Sequence, residues 1–305
     1  MSLESTKMAD FDTTVAIITR NRASLLKRTL QSIAMQTHPP DEVLVIDNAS
    51  TDNTGQIANE MARFLPIRYI YESRVGICFA RNTALSNCKS GILAFIDDDA
   101  VADKDWLKRL VETFENSPEA VAVQGRTENI YPENIIANLF QYTCQDMPKQ
   151  RDREGCVVKS PSMVCTMNFS FRVDPIKKAG ICFDTSLARG EDRHFGHQMM
   201  RNNLLILYAE NAANYHHWPK TAGDYLRSRW KSGIAKARLK KKLGNACYKK
   251  ETGRGNISTL KTAFDKVDGF PYSQRFLFML LLFAGKIISG LGQIHASLTY
   301  TDSPR

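Results

Sequence analysis

The sequence predicts an α/β fold, a mostly parallel central sheet flanked by helices, followed by a C-terminal extension of basic and apolar helices. Three observations carry this. Short β-branched apolar runs alternate with segments of helical period, with only short links between them. The runs end in polar or acidic residues, as parallel strands do where their carboxyl ends open onto a ligand crevice. The surplus of positive charge lies apart from this pattern, beyond residue 219. The chain therefore divides into a flexible N-terminus (1–12), an α/β domain (13–219, in halves 13–126 and 127–219) and the extension (220–305).

Val15-Ala16-Ile17-Ile18 is the first strand, ending at Thr19-Arg20-Asn21-Arg22, and Leu26, Leu30 and Ile33 follow at helical spacing. Val43-Leu44-Val45-Ile46 is the second, and the Asx- and Ser-rich turn from Asp47 to Asp52 leads into a helix over 54–64. Residues 67–71 make a third strand and 77–88 a third helix. Ile92-Leu93-Ala94-Phe95-Ile96 is the fourth strand and runs straight into Asp97-Asp98-Asp99. An amphipathic helix over 106–114 and a strand at Val121-Ala122-Val123 come next. Residues 128–161 are polar, uneven and marked by Pro132, Pro148 and Gly155, and read as a functional loop rather than a core element. Strand character returns at 163–171, a short helix follows at 174–178, and 204–208 is the last strand of the sheet.

With 43% hydrophobic and 24% charged residues the chain has the make-up of a folded protein with a substantial core. Its seven cysteines are odd in number, scattered and without a Cys-x-x-Cys pair, which argues against a disulfide framework or zinc site and for a reducing compartment. Residues 1–12 are polar and mildly acidic where a leader would be charged and then apolar, so a cytoplasmic location is expected.

Three consecutive carboxylates at a strand end repel one another unless a cation joins them. A divalent ion that prefers oxygen ligands, Mg²⁺ or Mn²⁺, held together with the phosphates of a substrate, meets that need. A solvated acidic loop capping the next helix explains the triad alone equally well. The polar clusters at Thr19-Arg20-Asn21 and Asp47 fall at neighbouring strand ends, however, and converge with the triad on one crevice suited to a diphosphate-bearing nucleotide. No Gly-x-Gly-x-x-Gly follows the first strand and no P-loop lysine motif appears, so neither a dinucleotide fingerprint nor a kinase is supported.

Thr19-Arg20-Asn21-Arg22, the block from Val45 to Thr54, Gly76 through Ala80-Arg81-Asn82, and Phe95-Ile96-Asp97-Asp98-Asp99 resemble, in order and separation, the successive blocks of family-2 glycosyltransferases with the GT-A fold. The resemblance is dense over 14–126 and thins towards residue 211. It implies a nucleotide-sugar-binding half (13–126), an acceptor-binding half (127–219), a divalent cation and an inverting transfer. Position by position, it implies that Asp47 accepts a hydrogen bond from the nucleotide base, with Thr19 and Asn21 lining the same pocket. Arg81 or Arg74 would approach base or diphosphate. Asp97 would hold the ribose and share the metal with Asp99, and Asp98 would lie between them. Strand alternation lets Asp97 and Asp99 face one side while Asp98 points away. Asn48 departs from the pattern, where an Asp is commoner.

Gly190-Glu191-Asp192 resembles the family's Glu-Asp motif, which supplies the catalytic base near a helix start. Inverting transfer needs a carboxylate that takes the proton from an attacking acceptor hydroxyl. Asp192 is expected in that role, with Glu191 second. Two acids at a helix N-terminus are also stabilising without any catalysis. A histidine after the last strand completes the metal shell in some GT-A enzymes, a part His216 or the adjacent His217 could take, and His216 is the expected ligand.

Twelve Lys or Arg face only Asp224 and Glu251 between Lys220 and Arg254, so this segment carries +10 of the chain's net +9. Its basic amphipathic helix over 225–243 and the apolar stretch 271–298 read as a surface for anionic membrane, through 220–298, with self-association as a second use. The apolar run of about ten residues before Lys286 is short for a span, which needs about 20, and suggests an interfacial hairpin or a dimerising helix. A membrane-borne or lipid-linked glycan acceptor would then be met from the cytoplasmic side, the protein lying peripherally at the inner face of the cell membrane. Two rivals remain. A sugar nucleotidyltransferase would carry glycines around Arg20 and Arg22, which are absent. A non-catalytic membrane-surface or nucleic-acid-binding module would not need Asp99 and Asp192, and the basic segment lacks the interleaved aromatics that nucleic acid would favour.

Overall fold

A computed structural model of the chain describes residues 12–144, 156–158, 160, 164–244 and 267–299. The parallel half of its sheet comes from β1 (Thr13–Thr19), β2 (Glu42–Asp47), β3 (Ile67–Tyr71) and β4 (Ile92–Asp97), joined by α1 (Ala23–Ala34), α2 (Thr54–Met61) and α3 (Ile77–Asn87). The second half holds β5 (Ala100–Ala102), α4 (Trp106–Asn116), β6 (Ala120–Asn129), α5 (Ile135–Cys144), β7 (Cys156–Val157), β8 (Asn168–Arg172), α6 (Val173–Lys178), α7 (Glu191–Arg201) and β9 (Leu205–His216). The strand order is β3-β2-β1-β4-β8-β6-β9-β5, with β7 beside β9. β8 lies antiparallel between β4 and β6, so the sheet is parallel at one end and mixed at the other. Two helices follow, α8 (Ala222–Leu243) and α9 (Tyr272–Thr299).

The parallel strands are apolar because both faces are covered. Val15 and Ile17 of β1, with Ile92, Ala94 and Ile96 of β4, pack under α1, α2 and α4. Ala16, Leu93 and Phe95 point the other way into a second core with Phe169, Phe171, Phe183 and Phe195. This alternation puts β1, β2 and β4 in register so that Thr19 pairs with Asp47 and Ile18 with Asp97. All three strand ends thus open at one level.

The structure corrects the sequence reading in three places. Ile135–Cys144 is a helix rather than loop, and its Ile135, Ala137, Leu139 and Phe140 build a third core with Trp218, Tyr225 and residues of α9. The last strand does not stop near residue 208 but runs on to His216, across a bulge where β6 advances one residue and β9 four. The third is partial: of the two readings, hairpin or helix, the structure keeps the helix, since α9 is continuous over 28 residues. Residues 1–11 of the expected N-terminal segment (1–12), most of the 244–256 linker, Pro148, Gly155 and the start of the strand read at 163 lie outside the described residues.

Asn168 joins the two halves. Its side chain, fully buried, accepts a hydrogen bond from the Trp106 indole at 2.8 Å and donates to the carbonyls of Arg126 and Ala212 at 2.7 and 2.9 Å. It lies against Gly125, where any Cβ would collide with it. An alanine here would leave one donor and two carbonyls unpaired in a dry interior. Asn168→Ala should lower unfolding free energy by about 2–5 kcal/mol, read from denaturant unfolding. A change below about 0.5 kcal/mol would show that the network is not what joins the halves.

Candidate active site

The acidic strand end is arranged by its neighbours. The Thr29 hydroxyl on α1 lies 2.9 and 2.7 Å from the carbonyls of Asp98 and Ala100, fixing the turn. β5 then pairs antiparallel with β9, placing Ala100 opposite His216, and the His217 amide donates to the Asp99 carbonyl at 2.9 Å. As a result His216 Nε2 sits 2.9 Å from Asp99 Oδ1 and 3.6 Å from Asp97 Oδ2. Asp98 turns away, is buried, and meets the Arg22 guanidinium at 3.0 Å, while Arg22 also reaches Asp99 Oδ2 at 2.8 Å. Thr19 is buried beside Asp98.

The electrostatics follow from this packing. Burial raises the Asp98 carboxyl to about 6 despite Arg22, with the Asp99 charge adding to the rise. Burial alone would push the His216 imidazole down, but Asp97 and Asp99 outweigh it and raise it to about 10. The Asp99 carboxyl is held below its usual range by His216 and Arg22, against its own burial.

Asp97, Asp99 and His216 each offer one ligand atom, all within 4.8 Å of one another. Asp99 Oδ1 and His216 Nδ1 are buried with no well-directed hydrogen bond. Two carboxylates and an imidazole, with a buried carboxylate oxygen that has no well-directed hydrogen bond, fit a hard divalent cation. They form a candidate metal site.

Around it, the other expected residues fall into two groups. Asp47 is buried and both its oxygens accept hydrogen bonds, from the Tyr69 hydroxyl at 2.6 Å and the Ser50 amide at 2.8 Å. Asn21, at φ 52°, clasps the same turn: its side-chain Oδ1 accepts from the Thr51 backbone amide at 2.7 Å and its backbone amide donates to Ser50 Oγ at 2.9 Å. Asn48 donates to the Arg74 carbonyl at 2.7 Å and accepts from the Gly76 amide at 2.8 Å. A carboxylate could not make the first of these bonds, which accounts for the amide at this position. Arg74 is exposed, held by Glu72 and stacked on Phe79.

Arg81 is buried and forms an ion pair with Glu191 at the start of α7. Asp192 follows on the first turn. Burial and the neighbouring Glu191 charge raise its carboxyl to about 6, opposed by Arg81 and Arg193. Gly190 caps the helix at φ 83°, a left-handed conformation that glycine adopts freely. Besides its ion pair with Glu191, the buried Arg81 guanidinium feels the charges of Asp97 and Asp192.

Two features escape the sequence. Arg22 stands in the first polar cluster, yet only the fold shows that it spans to Asp98 and Asp99. Trp218 packs at a tilt against His216, 4.4 Å between ring centroids, and Tyr131 lies 2.7 Å from His217 Nδ1 with Lys220 over its ring. No periodicity announces these contacts, because they join segments that are irregular in sequence.

A sequence profile described as Glycosyl transferase family 2 matches residues 14–180, more than half of the chain. Glycosyltransferase AglE of Haloferax volcanii is 27% identical over 224 residues, 72% of this chain and 71% of its own length. The glucosyl-dolichyl phosphate glucuronosyltransferase of the same organism is 25% identical over 195 residues, 59% of this chain and 58% of that protein. Among solved structures, the mannosyltransferase PcManGT from Pyrobaculum calidifontis, in complex with GDP-Man and Mn²⁺, is similar with a TM-score of 0.60 at 18% identity, covering 92% of this chain and 87% of that one. With its mixed sheet, flanking helices and matching profile, the chain belongs to glycosyl transferase family 2 and has the GT-A fold.

Proposed function

We propose that this glycosyltransferase moves a sugar from a nucleotide-diphosphate donor to a hydroxyl of a glycan or lipid-linked acceptor, with inversion at the anomeric carbon. One observation carries the reading: Asp97, of the Asp97–Asp99–His216 cluster, and Asp192 both act electrostatically on the buried guanidinium of Arg81. The complex of the structural neighbour with GDP-Man and Mn²⁺, and the dolichyl phosphate in a relative's name, support a nucleotide-sugar donor and a lipid-linked acceptor. Such an acceptor would be met at the cytoplasmic face of the cell membrane.

Asp97, Asp99 and His216 would hold Mn²⁺ or Mg²⁺, which when bound neutralises charge on the departing diphosphate. Asp47, with a lone pair left on each oxygen, would accept from the nucleotide base, in a pocket that Asn21 shapes and Thr19 lines. Asp97 would also contact the ribose, and Asp98, engaged by Arg22, would buttress the turn. Arg74, with its side chain 63% exposed, is better placed than Arg81 to meet the donor. Asp192 takes the acceptor proton as its oxygen attacks, while Glu191, neutralised by Arg81, keeps α7 in place. A carboxyl raised to about 6 is still mostly ionised at neutral pH and a stronger base than an exposed Asp.

Asp192→Asn should lower kcat by about 10²–10⁴-fold while leaving donor binding within about twofold. Because the base must be deprotonated, transfer should fall about tenfold per pH unit below about 6 and level off above it. Full transfer by the variant, or a flat wild-type profile across that range, would refute the assignment. The cation makes a separate prediction. A proton on His216 competes with it, so Mn²⁺ titrated calorimetrically should bind more tightly as pH rises from about 6 to 8, about tenfold per unit for one proton released. Asp99→Asn should weaken Mn²⁺ binding at least about tenfold and His216→Ala should flatten the pH dependence; unchanged isotherms would remove these residues from the site.

A further inference from the structure

α9 has two unlike faces. Gly285, Ser289, Gly292 and Ala296 are buried, and a Cβ on Gly285 or Gly292 would come within 2.5 Å of the Tyr225 hydroxyl or 2.6 Å of the Trp230 carbonyl on α8. Gly233 of α8 lies against the Ser289 carbonyl in the same way. The helices are locked backbone to backbone by small residues. On the opposite side Phe276, Leu280, Phe283, Ile287, Leu291, Ile294 and Leu298 are exposed, Phe276, Phe283 and Leu298 by 71%, 66% and 78%. Phe276, Ile287 and Leu298 repeat at eleven residues, three helical turns, so the stripe stays on one side of the helix for ~33 Å. A continuous apolar surface of this length on a folded body marks an interface.

The charges say what covers it. α9 contains no Asp or Glu, and Asp224 is the one acid in α8, whereas α8 carries eight Lys or Arg and α9 carries Arg275 and Lys286. A second copy brought against this face would set one strongly positive helix pair against another. An anionic lipid surface is attracted instead, gaining about 1 kcal/mol per basic residue near it. By length and composition α9 could cross a bilayer. Crossing would draw the cation-rich helix packed on it into hydrocarbon, a cost of several kcal/mol per charge even on insertion scales. The helix pair therefore fits a bilayer lengthwise.

We propose that α8 and α9 form a preassembled membrane-docking unit, in which α9 lies in the plane of an anionic leaflet. The Phe276–Leu298 stripe enters the boundary between headgroups and acyl chains, and the exposed basic residues of the pair, among them Lys231, Lys240 and Lys286, meet lipid phosphates. Exposed Lys286, beside the stripe, can bury its methylenes and keep its ammonium at headgroup level. This deepens the transfer reading by bringing the enzyme to the surface that displays a lipid-linked acceptor, but lipid binding itself needs neither donor nor turnover.

The test uses the full chain and flotation with vesicles of phosphatidylcholine alone or mixed with phosphatidylglycerol. Binding should favour the anionic vesicles at least about tenfold, weaken in high salt, and be released by alkaline carbonate. Phe283→Ser with Ile287→Ser, both exposed, should cut it at least about tenfold at unchanged melting temperature. In Ile287→Trp, tryptophan fluorescence should shift to the blue and be quenched by bromolipid, a readout that does not require the double variant to fold. Equal flotation of wild type and double variant, or no fluorescence change, would overturn the proposal. So would a dimer in light scattering that the serines dissociate, which would assign the stripe to a second copy, or carbonate-resistant binding, which would assign α9 to a span. Lipid binding without transferase activity would leave docking intact and count only against the catalytic reading.

Discussion

Everything around the crevice answers one constraint: three consecutive carboxylates at the end of a buried strand must be kept charged and held apart. Asp97, Asp98 and Asp99 cannot ionise together in a low-dielectric setting without compensation. The fold supplies it from two directions. Arg22, just after β1, meets Asp98 and Asp99, and His216, at the far end of β9, meets Asp97 and Asp99. The second contact explains an otherwise odd feature of the sheet. β9 continues past its apolar stretch, through a bulge, so that it reaches the triad and pairs with the short β5 behind it. Without that extension His216 would end well short of the carboxylates.

The Arg81–Glu191 pair plays the same part between the two halves of the site. A buried ion pair contributes little to net stability, since desolvation offsets most of its attraction. Its value here is positional. Arg81 comes from α3, on the strand-and-helix repeat that builds the parallel half of the sheet, and Glu191 opens α7, which carries Asp192. The second Glu191 oxygen accepts no hydrogen bond among the described residues, so Arg81 is its principal anchor. Because Arg81 opposes the rise of Asp192 that burial and Glu191 produce, it also limits how far that carboxyl climbs.

The parallel half of the fold was legible because its strands are covered on both faces and read as unbroken apolar runs. The ends of those runs located Thr19, Asp47 and the triad, and two-residue alternation anticipated that Asp98 would part from Asp97 and Asp99. What stayed hidden has physical causes. α5 was read as loop because Pro132 and the polar residues after it mask a short helix whose apolar residues face the extension rather than the sheet. The end of β9 was missed because Glu210 and Asn211 interrupt its apolar pattern at the bulge, and Asn214 interrupts it again beyond, buried with its side-chain amide on the Met167 carbonyl. Arg22 looked like an ordinary basic residue, and Arg81 was expected near the donor's base or diphosphate rather than on Glu191. Only their partners, 76 to 110 positions away, distinguish them.

The third core makes the extension part of the catalytic body. His216 packs at a tilt against Trp218, Trp218 lies nearly parallel to Phe140 at 6.2 Å, Phe140 meets Tyr225 edge-on at 5.4 Å, and the Tyr225 hydroxyl sits over Gly285 of α9. Four contacts thus lead from a candidate metal ligand to the helix that carries the apolar stripe. Close-packed aromatic chains of this kind transmit position well because they have few alternative arrangements. A bilayer lying under α9 would therefore stand at a fixed place relative to His216. Glycine at 285 is what allows that spacing, since any side chain there would push α9 away from Tyr225 and tilt the stripe against the site it serves.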